Sequence, residues 1–407
     1  MPMTRDEMIA LFQIGVAAAD PEAAVRASLK ATPLPAHDRL FIAAFGKAAC
    51  AMTRAALSVL PAPERALVVT NYENATSLDG AKVLAAGHPV PDDNGLRAGE
   101  AMMSLLADAK AGDRVLVLVS GGGSALLPAP VDGVSLEQKA AVSRLLLGAG
   151  LDIVAMNAVR QHLSRLKGGG LLRHAAPAPV TALILSDVIG DDLRAIASGP
   201  TVAPILPRTE VVEMLKARGL WDELPDAAQT ALGHPEDAAQ AQSADNRLIG
   251  SNRKSLDAMA AAMPDARILS DALTGDVEQA AQMVVASVKR RVPLALCGGE
   301  TTVQLRGTGR GGRNQELALR VANALDGHGG WRFLSAGTDG RDGPTDAAGA
   351  IVDGETCARI RAAGGDVAAL LANNDSHEAL RLSGDLLITG GTGTNVADLQ
   401  ILSVSGL

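Results

Sequence analysis

Apolar runs of five or six residues recur at 40–45, 66–70, 82–86, 114–119 and 180–185, and stretches of helical periodicity separate most of them. Runs this short, mostly apolar rather than alternating, suit strands buried on both faces. Such strands need helices above and below, so the pattern predicts a mostly parallel sheet in a three-layer α/β/α domain. Helices are expected at 47–60, 94–107, 135–148 and 151–166, the third opening with Ser135 as N-cap ahead of Leu136, Glu137 and Gln138.

Between 204 and 245 the pattern loosens, and 223–246 reads as a Pro-, Ala- and Gln-rich surface stretch. Regular elements resume with 248–250 and a helix from Asn252, which divides the chain into an N-terminal domain, 1–240, and a C-terminal domain, 245–407. The second part offers strands at 266–269, 293–297, 302–305, 331–335, 350–352, 385–389 and 399–404. With helices at 276–290, 314–325 and 356–363, it forms a second, smaller α/β unit with a mixed sheet. A chain of 407 residues that is 47% hydrophobic has enough apolar material for two such cores.

Aromatic residues make up 2% of the chain, so the cores rest on Ala, Val, Leu and Ile, and platforms for stacking bases are scarce. Together with the net charge of -8, this argues against nucleic acid as a partner. Cys50, Cys297 and Cys357 are odd in number and set among apolar or small residues, which fits a reducing cytoplasm better than a disulfide framework. No run reaches the roughly 18 to 20 apolar residues of a membrane span. Residues 1–20, with Met8, Leu11, Phe12 and Val16 at helical spacing, read as an amphipathic helix. The seven histidines lack the short-range pairing of a zinc site, and the G-x-S-x-G elbow of a serine hydrolase is absent.

An acidic protein that binds anions must do so through local cations and backbone amides, and in open α/β sheets those belong in the loops after the strands. Gly46 and Lys47 follow the first run; a lysine at a helix start is either solvated or held for an anion. Ser120, Gly121, Gly122, Gly123 and Ser124 follow the fourth, as a flexible turn or as a set of amides converging on phosphate, without Walker A spacing. Asp187 follows the fifth, where it either caps a helix or serves a substrate hydroxyl or Mg2+.

Three further loops lie in the second part. Glu300 follows Gly298 and Gly299, and beyond it Gly307, Gly309 and Gly312 match G-x-G-x-x-G. That match is weak as a nicotinamide signal: the loop carries Arg310 and Arg313, and the acidic partner expected after a second strand is displaced. Arg313 fits either bidentate contact with a carboxylate or phosphate, or a salt bridge to Glu300 or Glu316. Asp339, Asp342 and Asp346 crowd into the loop from Ser335, where like charges repel unless a cation or a set of donors neutralises them. The last loop runs from Thr389 to Asn395, with Asn395 as an amide for a ligand or a plain turn residue.

Phe45-Gly46-Lys47, the 87–95 segment Gly-His-Pro-Val-Pro-Asp-Asp-Asn-Gly, the Ser120–Ser124 loop, the 162–169 segment ending Lys167-Gly168-Gly169, Leu185-Ser186-Asp187 and the Gly298 and Ser335 loops together resemble the class II glycerate 2-kinases. Residues 298–302, 312–316 and 393–395 resemble that family's MOFRL domain; the family often has proline where this chain has Gly391. The resemblance implies ATP-dependent phosphorylation of the 2-hydroxyl of D-glycerate with Mg2+, in a cleft between a Rossmann-like domain and the MOFRL domain. It implies Lys47, Asp187 and Arg313 as catalytic residues and Glu300 and Asp339 as metal ligands. Ser120, Gly121, Gly122, Gly123, Ser124, Lys167 and Asn395 would bind substrate or nucleotide. The expected partners are D-glycerate and ATP, with no membrane; self-association into a homo-oligomer is compatible with this reading. The alternatives are an NAD(P)H-dependent hydroxypyruvate or tartronate-semialdehyde reductase, with His88 or His162 as proton donor, and a non-catalytic sensor that binds a sugar acid or nucleotide.

Overall fold

The computed structural model describes residues 1–235 and 243–405. The chain forms two compact units, one of Pro21–Ser186 and Asp191–Ile249, the other of Met1–Asp20, Asp187–Gly190 and Gly250–Leu407. In the first unit, strands β1 (Leu40–Phe45), β2 (Arg65–Asn71), β3 (Lys82–Ala86), β4 (Arg114–Val119), β5 (Val180–Leu185) and β6 (Asp245–Gly250) form a six-stranded sheet of order β3-β2-β1-β4-β5-β6. The pairings from β3 through β5 are all parallel. Every residue of β1 and β5 is buried, as strands covered on both faces require. The expected helices form at Ala49–Val59, Asp93–Ala107, Leu136–Gly148 and Ile153–His162. Ser135 makes the full capping box with Gln138.

The stretch after 204 is more ordered than its composition suggests. Helices Arg208–Ala217 and Asp226–Gly233 each follow a proline. They bury Val211, Leu215, Ala228 and Leu232 against Val142, Leu146 and Val159 of the two preceding helices. Short amphipathic helices of this kind draw their stability from tertiary packing, which local composition does not reveal. The part of the expected surface stretch at 236–242 lies outside the described residues.

The second unit holds β7 (Arg267–Ser270), β8 (Gly275–Asp276), β9 (Leu294–Gly299), β10 (Thr301–Thr302), β11 (Trp331–Gly337), β12 (Gly349–Asp353), β13 (Leu386–Leu387) and β14 (Asp398–Val404). Its main sheet has the order β13-β12-β11-β14-β9-β7 and is mixed: β7 and β9 are parallel and the other pairs antiparallel. Helix Arg5–Ala18 belongs to this unit, where Met8, Leu11 and Phe12 pack on Leu256, Met259 and Leu399. The expected strand at 302–305 is confined to β10, and that at 385–389 to β13. Beyond β10, backbone amides from Arg306 onward donate to the side chains of Asn373 and Asn374 instead of to a neighbouring strand.

Candidate active site

The order of the first sheet reverses between β1 and β4, and this switch point is where an open α/β sheet presents a ligand crevice at its carboxyl ends. Lys47 follows β1 there, and the Ser120–Ser124 loop follows β4. The two loops are tied together: Lys47 N–H donates to the Gly121 carbonyl at 2.9 Å, and Ala48 N–H donates to Ser120 Oγ at 3.0 Å. Gly46, at φ 122°, sits where a Cβ would collide with Ser120, so the approach of the loops depends on glycine. Gly122, at φ 82°, faces the His88 ring and the Lys47 side chain; a Cβ there would lie 3.1 Å from the imidazole and 3.3 Å from Lys47 Cγ. The His88 pKa is lowered, first by burial and then by the Lys47 charge, which disfavours an imidazolium beside the lysine.

Lys167 joins the far end of the same loop. It is buried, and its ammonium donates to the Ser124 carbonyl at 2.9 Å and to Ser124 Oγ at 2.5 Å. Ser124 Oγ also meets Ser198 Oγ at 3.0 Å.

In the second unit, Arg313 opens the helix Arg313–Ala324. Its Nε and one terminal nitrogen grip both oxygens of Asp398, at 2.6 and 2.9 Å, and the other terminal nitrogen lies 3.1 Å from Glu300. Asp398 is fully buried at the start of β14, paired with Gly299, the residue before Glu300. Burial works against the Arg313 charge, but the Asp398 hydrogen bonds and the Asp398 and Glu300 charges overcome it and raise the pKa. Burial pushes the Glu300 pKa up; Arg313 opposes that shift, and Asp398, Asp187 and Asp339 add to it. Asp187, although it follows β5 in sequence, belongs to this unit with Glu300 and Asp339. Glu300, Arg313, Asp187 and Asp339 therefore form one electrostatic cluster, and a charged ligand that neutralises the carboxylates would relieve their repulsion.

The three crowded aspartates part ways. Asp342 is buried and accepts the backbone N–H groups of Asn314 and Gln315 at 3.1 and 2.8 Å, so it caps the Arg313 helix. Asp346 has a largely exposed side chain, 3.8 Å from His377. Asp339 stays beside Gly337, where an added Cβ would lie 3.1 Å from its Oδ1 and 3.6 Å from that of Asp398. The 338–342 loop is laced to the 389–397 loop: Thr392 Oγ1 donates to the Thr338 carbonyl, and Val396 N–H to Thr338 Oγ1. Asn395 uses its side-chain oxygen to accept Ala397 N–H at 3.1 Å.

The G-x-G-x-x-G segment has a structural occupation. The N–H groups of Arg306 and Gly307 donate to Asn374, Thr308 and Gly309 to Asn373, and Arg310 to Asp375. A Cβ at Gly307 or Gly309 would strike that same 373–375 segment. Gly307 and Gly309 serve close approach of two backbone segments, Gly312 leaves room for Asp342, and amides that a dinucleotide pyrophosphate would need are already used. Sequence reasoning missed Asp398, although a lone aspartate opening an apolar strand was a readable signal. It also missed Ser198, which only its tertiary contact with Ser124 reveals.

Residues 7–233 match the model of a domain of unknown function, DUF4147, and residues 293–398 match that of the MOFRL family. The D-glycerate 2-kinase of Thermotoga maritima is 40% identical over 408 residues, 97% of this chain and 96% of its own length. The chain belongs to the glycerate 2-kinases of the MOFRL family. The crystal structure of the glycerate kinase from Thermotoga maritima superposes with a TM-score of 0.91 at 39% identity, covering 98% of both chains. An Agrobacterium vitis relative, 38% identical over 97% of this chain and 93% of its own length, carries the provisional name hydroxypyruvate reductase.

Proposed function

We propose that this chain transfers the γ-phosphoryl group of ATP to the 2-hydroxyl of D-glycerate, yielding 2-phospho-D-glycerate and ADP. The observation that carries the reading is the end-to-end correspondence with the Thermotoga maritima protein named D-glycerate 2-kinase. The two clusters supply what phosphoryl transfer demands, namely positioning and charge neutralisation rather than covalent help.

Asp187 accepts the proton of the 2-hydroxyl as that oxygen attacks the γ-phosphorus; the bond from phosphorus to the bridging oxygen breaks, and the electron pair leaves with ADP. Lys47 and Arg313 stabilise the transferring phosphoryl group or clamp the glycerate carboxylate. The Ser120–Ser124 loop and Lys167 hold nucleotide phosphates, and Asn395 contributes its amide to a bound ligand. Among the described residues no group of three His, Cys, Asp or Glu side chains is preassembled for a metal. Mg2+ keeps waters and phosphate oxygens as ligands and asks the protein for one or two carboxylates, which Glu300 and Asp339 would provide. Bound there, it would neutralise phosphate charge.

The test is ADP release from MgATP that depends on D-glycerate, run beside an NADH and hydroxypyruvate control. Glycerate-dependent ADP release with a silent control is expected; NADH consumption without ADP release would overturn the reading.

A further inference from the structure

Three cations in the first unit, Lys139, Arg160 and Lys167, lie together with no acidic counter-charge among the described residues. Lys139, on the helix Leu136–Gly148, is 8% exposed, and its ammonium has no hydrogen-bond partner among the described residues. Ser143 stands one turn along the same helix face and accepts the Arg160 Nε–H at 3.2 Å. That bond brings the guanidinium of Arg160, from helix Ile153–His162, beside Lys139. Lys167 completes the group from its seat on Ser124. Lys139 is pushed down to about 8, by burial first and then by Arg160. Lys167 is held well below the usual lysine range by burial, then by Lys139 and Arg160. Among the described residues, no acidic side chain is among the charges acting on any of the three.

Such a group is unfavourable in the empty protein. A buried ammonium without a partner bears its desolvation uncompensated, and its like-charged neighbours add repulsion. The cost turns to gain when a multiply charged anion arrives. A monoanionic carboxylate would leave two of three cations unpaired, whereas a polyphosphate matches the group in charge and in acceptor oxygens. The backbone around it is committed to one geometry. Ala197, Ser198 and Gly199 run consecutively through the left-handed region, at φ 49°, 62° and 66°, two of them non-glycine. They are held by Gly168 N–H on the Ser198 carbonyl, Gly169 N–H on the Gly199 carbonyl, and the Gln161 amide on the Ser198 carbonyl, at 3.1, 2.9 and 3.1 Å. The outcome is a Ser198 hydroxyl set against that of Ser124.

We propose that Lys139, Arg160 and Lys167, with the hydroxyls of Ser124 and Ser198, form a pocket for the polyphosphate of the nucleotide, continuous with the Ser120–Ser124 loop. The assignment of the polyphosphate to a nucleotide rests on the kinase reading; the anion chemistry does not.

The experiment is calorimetric titration of the full chain with pyrophosphate and with ADP, for wild type, Lys139→Met and Arg160→Gln, with thermal unfolding of each ligand-free protein. In both variants the dissociation constants for pyrophosphate and ADP should rise at least about 10-fold, the loss expected for one charged hydrogen-bonding partner. Ligand-free Lys139→Met should unfold at or above the wild-type temperature, because an unpaired buried charge has been removed. Unchanged pyrophosphate affinity in both variants would overturn the pocket, as would a Lys139→Met protein that loses stability but keeps affinity. Lys139-dependent pyrophosphate binding that ADP does not displace would overturn the nucleotide assignment. Lys139-dependent binding of both ligands by a protein that never phosphorylates glycerate would support the pocket and refute the kinase reading instead.

Discussion

Replacing Asp398 with asparagine tests how the Arg313 side of the site is built. Asp398 is fully buried and accepts two charge-assisted hydrogen bonds from Arg313, at 2.6 and 2.9 Å. Asparagine keeps the shape but offers one acceptor, and it turns an NH2 group toward the guanidinium. Each bond to a charged partner contributes about 1.5–3 kcal/mol. The guanidinium is a third exposed and recovers part of its hydration, and the variant no longer buries a carboxylate, so the net loss is about 2 kcal/mol. In a unit of this size that lowers Tm by about 4–8 °C. Turnover should fall by about 100-fold, because Arg313 loses the partner that aims it at developing phosphoryl charge. Thermal unfolding by circular dichroism and a coupled ADP assay measure the two effects. An Asp398→Asn protein with wild-type Tm and turnover would refute the claim that this pair orders the site.

Lys47→Ala and Arg313→Ala should each reduce kcat by at least about 100-fold in the same assay, as expected for groups that act on transition-state charge. Gly122→Ala places a side chain at φ 82° against His88 and Lys47. It should cost about 1–2 kcal/mol of stability and reduce activity by displacing Lys47, read by thermal unfolding and initial rates. Glu300 has its pKa raised above the usual 4.5, chiefly by burial, so its stabilising contribution is fully present below 4.5 and lost as the pH rises through the folded value. Glu300→Gln should therefore unfold at or above the wild-type temperature at pH 7, with the difference shrinking toward pH 4.5, while kinase activity is lost.

Legibility in the sequence followed the range of the interactions. β1, β4 and β5 announce themselves because strands buried on both faces read as near-continuous apolar runs. Ser135 was readable because its capping box closes within four residues. Helices Arg208–Ala217 and Asp226–Gly233 were not readable, because their apolar residues gain meaning only against Val142, Leu146 and Val159. The same divide runs through the site. Lys47, the Ser120–Ser124 loop and Glu300 stand out by their place after apolar runs. The separate fates of Asp339, Asp342 and Asp346 depend on the Arg313 helix and the 389–397 loop, which come from elsewhere in the chain. The G-x-G-x-x-G match shows the converse: local spacing alone cannot say whether glycines approach a ligand or, as here, the 373–375 segment and Asp342.

The most direct test of glycerate 2-phosphorylation is to incubate the protein with D-glycerate and MgATP and resolve 2-phosphoglycerate from 3-phosphoglycerate by phosphorus and proton NMR. Accumulation of 2-phosphoglycerate, in step with ADP, is the predicted result. Accumulation of 3-phosphoglycerate, or hydrolysis of ATP with glycerate left unchanged, would contradict it.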